Sequence, residues 1–150
     1  MPLAERTANI VWQGDLRTGS GQLNVRSGAF PEQTVTFSAR SEAPDGKTSP
    51  EELIAAAHAT CYAMAFSNLL ATEGGAAPDR LEITATCGLD RTEAVLKITT
   101  MDLQVRGEVA GMDPAKFEEM ARKAEGRCPV SNALRNNVEI RLHPQLVGVA

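Results

Sequence analysis

Cys61 lies three positions after His58 inside an unbroken apolar run, so on a helix the two side chains share a face with Ile54, Ala57, Met64 and Ala65. A lone cysteine in such a run is ordinarily a small core residue. Cys128 changes the weighing. It directly precedes Pro129 at what reads as a helix start, where backbone N–H groups favour a negative sulfur and the break in the chain leaves it accessible. A second thiol at such a boundary is what a reactive first thiol needs in order to be resolved into a disulfide. The third cysteine, Cys87, alternates within a strand-like run beside Thr86 and Gly88 and reads as structural.

Other chemistries remain open on these residues. His58 one turn from Cys61 could activate it as a base, although a histidine on a buried helix is more commonly a packed group. A zinc site of His58, Cys61 and Cys128 would lack a fourth protein ligand and has no supporting spacing. A hydrolase built on Cys61 and His58 and a small-molecule-binding protein with inert thiols are the two rival functions.

These side chains must be positioned by the elements around them. Residues 48–70, TSPEELIAAAHATCYAMAFSNLL, predict a long helix: Ser49 can cap it, Pro50 takes its first position and Glu52 falls three past the cap. From Leu53 to Leu70 no Asp, Glu, Lys or Arg interrupts the run, which predicts a helix buried on all sides. Asn68, Thr60 and His58 inside it argue against a membrane span. Residues 7–13, 21–26 and 33–40 are short, β-branched or alternating runs separated by Gly and Pro, and predict three antiparallel strands before the helix. Residues 81–90 and 95–108 predict a long hairpin after it. Asp113 and Pro114 open a second amphipathic helix with Phe117, Met120, Ala121 and Ala124 on one face. CPVSNALRN predicts another turn or two of helix, and residues 138–142 a closing strand.

The order βββ-α-ββ-αα-β fits no alternating parallel pattern and belongs to the α+β class. With 150 residues, 43% hydrophobic and 23% charged, the chain forms a single domain, residues 1–150. A net charge of −4, the lack of a basic stretch and the few aromatics argue against nucleic acid. Charges in the first residues stand where a signal peptide needs an apolar run, so a cytoplasmic location is expected and with it reduced thiols. A helix apolar all round demands more cover than one sheet offers, which makes an intertwined homodimer the expected assembly.

Three separated blocks carry a more specific signal. FSAR ending at Arg40, SPEELIAAAHATCYAMAFSNLL from Ser49 and CPVSNAL from Cys128 resemble, in order and spacing, the hallmark blocks of the OsmC/Ohr family, the osmotically inducible and organic-hydroperoxide-resistance proteins. The early VWQGDLRTGSG resembles that family's opening strand and turn, and FSAR with PEELIAAAHA is closest to the OsmC branch. The resemblance implies an OsmC-like fold of about six antiparallel strands around a long buried central helix. It also implies a thiol-dependent peroxidase that needs no metal, haem or other cofactor.

Carried over by position, Cys61 would be the peroxidatic cysteine, Cys128 the resolving one, Arg40 the activating cation and Glu51 its carboxylate partner. Arg17, in the GDLRTGSG turn, is a rival to Arg40, because the Ohr branch uses an arginine from that region. The chemistry suits the residue types. A thiol with an ordinary pKa of about 8.5 is mostly protonated at neutral pH, and a guanidinium favours its ionised form. A carboxylate fixes the long arginine by a two-pronged bond. The implied partners are an organic hydroperoxide, a lipoyl or thioredoxin-like dithiol reductant and a second copy of the chain; no membrane is expected. Glu51 and Cys61 stand ten positions apart, so on one straight helix they are separated by roughly 15 Å. Either Arg40 spans that gap, or the arginine and glutamate serving a given Cys61 come from the other subunit, which is the arrangement favoured.

Overall fold

The computed structural model describes residues 1–148, which form six strands and four helices. Two compact units are present, Met1–Leu53 and Ile54–Ala150.

In the first unit β1 (Ala8–Gln13), β2 (Ser20–Val25) and β3 (Gln33–Val35) form an antiparallel sheet in that order. Asp15 makes the first turn: its carboxylate accepts from the amides of Arg17 and Thr18, both at 2.8 Å. Every residue of β1 is exposed, including Ile10, Val11 and Trp12.

The third strand is shorter than the sequence suggests. Thr36 leaves the extended conformation and caps a helical turn, α1 (Phe37–Ser41), its Oγ1 accepting from the Ala39 amide at 3.2 Å. Arg40 therefore sits on a helix, not a strand. A threonine cap overrides the strand preference of a five-residue stretch, which periodicity cannot resolve.

The long helix α2 (Pro50–Glu73) starts as expected, with the Glu52 amide donating to Ser49 Oγ at 3.1 Å. Gly74 ends it, its amide reaching the carbonyls of Leu69 and Leu70, and Gly75 follows at φ 92°.

In the second unit β4 (Arg80–Arg91) and β5 (Leu96–Glu108) form the long antiparallel hairpin, with a bulge at Gly88 and Leu89. Helices α3 (Pro114–Gly126) and α4 (Pro129–Leu134) then carry the chain to β6 (Glu139–Leu146). This strand is longer than residues 138–142 and pairs with β5 in parallel, Thr100 opposite Glu139 and Leu103 opposite Leu142. The strands are thus not all antiparallel. A two-helix crossover returns the chain to the end of the sheet from which β5 set out, and that return dictates the direction of β6.

Tyr62, Phe66, Leu69 and Leu70 of α2 share one core with Met101, Leu103 and Val105 of β5 and with Phe117, Met120, Ala121 and Ala124 of α3. Phe66 lies between the rings of Tyr62 and Phe117, at centroid distances of 5.7 and 5.2 Å. The Tyr62 hydroxyl donates to the Ala121 carbonyl at 2.8 Å. Gly107 makes room for the Phe117 ring, because a Cβ there would stand 2.5 Å from it.

Within one chain α2 keeps an open face. Ala56, Ala57, Thr60, Met64, Asn68 and Ala71 are exposed, with Met64 68% open. One sheet and one amphipathic helix cover only one side of a cylinder.

Candidate active site

Cys61 and Cys128 reach each other from two elements of the same unit. Cys61 is half-buried on α2, and Cys128 is fully buried at the cap of α4; both are free thiols. Burial pushes the Cys61 thiol above its ordinary pKa, the Val130 N–H pulls it down, and interaction with the Cys128 thiol pushes it up again. The two sulfurs are therefore neighbours, and the α4 backbone aims an N–H at Cys61.

Cys128 is the N-cap of α4, and the Ser131 amide donates to its Sγ at 3.5 Å. The expected accessibility of this sulfur is corrected: its relative exposure is 0%. Pro129 and the cap turn the side chain inward, where the core closes over it.

His58 is equally buried, and its Nε2 shares a 2.6 Å hydrogen bond with Ser131 Oγ. Its Nδ1 has no hydrogen-bond partner among the described residues. Burial holds the imidazole below its ordinary pKa, against an opposing pull from Glu125. The Nε2 of His58 is taken up by Ser131, which disfavours the cysteine–histidine base pairing.

Within the first unit Arg40 and Glu51 meet as expected. Arg40 Nε donates to Glu51 Oε1 at 3.0 Å and Oε2 at 3.2 Å, and Nη2 donates to Oε1 at 2.7 Å. Glu51 is buried in the first turn of α2, and the Arg40 side chain is 29% exposed. Arg17 stands exposed in the β1–β2 turn. Cys87, on β4 opposite Met101, packs against the core. Among the described residues no group of three His, Cys, Asp or Glu side chains could hold a metal ion.

Comparison with known proteins gives this geometry a family. The model of the OsmC-like proteins matches residues 43–143. Peroxiredoxin OsmC of Escherichia coli is 40% identical over 135 residues, covering 90% of this chain and 92% of that protein. The chain belongs to the OsmC-like family.

A second relative, the organic hydroperoxide resistance protein of Xanthomonas axonopodis pv. citri, is 32% identical over 95 residues, 63% of this chain and 65% of its own. The fold agrees with solved OsmC-like structures. An organic hydroperoxide resistance protein OsmC from Legionella pneumophila superposes with a TM-score of 0.75 at 22% identity, covering 97% of this chain and 99% of that one. One from Elizabethkingia anophelis gives 0.77 at 22% identity, with the same coverage. The family match takes in Glu51, Cys61 and Cys128, while Arg40 precedes it.

Two groups next to the thiols escaped sequence reasoning, Ser131 beside Cys128 and the Val130 amide. The signal for both lay in the CPVS run. A cap residue receives the amide three positions on, so a thiol at the cap brings Ser131 beside it. The tertiary bond from Ser131 to a histidine 73 residues away had no local signal.

Proposed function

We propose that this protein reduces organic hydroperoxides to alcohols by a two-cysteine mechanism. The observation that carries the reading is the meeting of the Cys61 and Cys128 thiols in one half-closed place. Relatives named peroxiredoxin and organic hydroperoxide resistance protein support a peroxiredoxin-like role.

In the first step the ionised Cys61 sulfur attacks the distal oxygen of the hydroperoxide. An S–O bond forms, the O–O bond breaks, and the departing alkoxide takes a proton to become the alcohol. In the second, the Cys128 sulfur attacks the sulfenic sulfur of Cys61; the S–S bond forms and the oxygen leaves as water. An external dithiol, lipoyl or thioredoxin-like, then takes up the disulfide by exchange and restores both thiols.

Burial disfavours the ionised form of Cys61, and a cation beside the sulfur would favour it. In this reading that cation is Arg40, held by Glu51, and it comes from a second copy of the chain in a homodimer with shared active sites. The exposed apolar residues support such an assembly: Ile10, Val11 and Trp12 on β1 and Met64 on α2 are surfaces a lone chain would leave in water. The reducing cytoplasm is the compartment in which both thiols would persist between turnovers.

One equivalent of cumene hydroperoxide should convert two free thiols per chain to a disulfide. Cys128→Ser should still complete a single reduction and stop at the sulfenic acid. The complete burial of Cys128 favours one rival, a small-molecule-binding protein with inert thiols. Unchanged thiol titre after peroxide would establish that rival and refute the peroxidase.

A further inference from the structure

We propose that His58 is a positioning residue for disulfide formation: its bond to Ser131 fixes the segment that presents Cys128 to Cys61. The inference rests on the two-cysteine reading above.

Helix α4 spans only six residues, too few to hold its own shape in water, so its orientation depends on what ties it to the rest of the unit. At its far end Arg135 pairs with Glu125 of α3 at 2.9 Å. At the cysteine end the tie is the 2.6 Å bond between Ser131 Oγ and His58 Nε2, fully buried. The same Ser131 donates its amide to Cys128 Sγ. One residue thus holds the resolving sulfur with its backbone and the central helix with its side chain. His58 and Cys61 stand one turn apart on α2, so the tether originates on the element that carries the other sulfur.

The cost of His58 argues in the same direction. A buried imidazole with Nδ1 unpartnered is dearer than an apolar side chain of similar volume. Packing alone would be served better by leucine or phenylalanine. What an apolar residue lacks is direction, and direction is what disulfide closure demands, since the sulfur–sulfur bond forms only within narrow limits of distance and dihedral angle. The imidazole is also committed to Ser131 through Nε2, which separates this role from that of a base on Cys61.

The step affected is the attack of the Cys128 sulfur on the sulfenic acid of Cys61, in which S–S forms, S–O breaks and water leaves. The experiment follows both steps after one equivalent of cumene hydroperoxide. Sulfenic acid is trapped with dimedone in a Cys128→Ser background, and disulfide is followed by mass in the presence of Cys128. His58→Phe and Ser131→Ala should each leave trapping within about twofold of the parent while slowing disulfide formation about tenfold, as loss of one buried hydrogen bond would. His58→Gln, which can still bond Ser131, should recover most of the rate. If His58→Phe fails to fold, the smaller change Ser131→Ala carries the test. Disulfide formation at the parental rate in Ser131→Ala overturns the proposal, and so does an equal slowing of both steps. A parent protein that forms sulfenic acid but no disulfide refutes the two-cysteine reading itself, before any variant is compared.

Discussion

Arg40 covers the carboxylate of Glu51, which is otherwise almost cut off from water. Three hydrogen bonds join the two side chains, and only the arginine keeps appreciable contact with solvent. Arg40→Ala should therefore destabilise the protein by about 1–3 kcal/mol, because it strands a buried acceptor. Glu51→Gln should cost less, and the double variant no more than Arg40→Ala alone. Urea midpoints decide; additive losses would mean that the two groups are independently solvated.

Heterodimers test where the cation acts. Mixing a Cys61→Ser chain with an Arg40→Ala chain should restore part of the peroxidase activity that each lacks alone, since half of the shared sites regain both groups. No rescue after complete subunit exchange would place Arg40 and Cys61 of each working site on the same chain.

His58 gives the protein a pH dependence of definite sign. Its folded pKa lies below the ordinary 6.5, because burial opposes the charge and Glu125 only partly offsets it. The neutral ring's contribution is then present above 6.5 and is lost as pH falls from that value toward the folded one. Unfolding free energy of the wild type should drop as pH falls below the ordinary histidine value of 6.5, and His58→Gln should flatten that drop. The carboxylates of Asp15, Glu73 and Asp102 are also held low, but from ordinary values of 3.8 to 4.5, so their losses come in more acid solution. An unchanged slope in the variant would show that another group titrates there.

Gly107→Ala should cost about 1–3 kcal/mol through overpacking, because the new methyl meets the buried Phe117 ring with no room to retreat. Thermal unfolding measures it, and a neutral result would mean that α3 can shift on the sheet without loss.

Much of this was legible in the residues. Ser49 with Pro50 and Asp113 with Pro114 announced their helices through local hydrogen bonds, and those hold in the structure. Residues 36–40 resemble the end of a strand because alternation over so few positions looks the same whether a threonine side chain points along a strand or folds back to cap. The parallel pairing of β6 and the burial of Cys128 depend on how distant segments return to one another, which no window of sequence contains. The open face of α2 is not legible in its composition either, since the run is as apolar on the exposed side as on the buried one. Nothing local in the sequence joins Arg40 to Glu51, eleven positions apart; their bond is a product of the fold.

The atom that closes the first turn of α4 is a sulfur, Cys128 Sγ. Rotation of that side chain toward another bonding partner withdraws the acceptor from the Ser131 amide, and so short a segment has no spare turns to absorb the loss. Oxidation would therefore be written into the backbone as fraying. Amide hydrogen exchange over residues 130–134 becomes a reporter of the thiol's state, readable without touching the thiol.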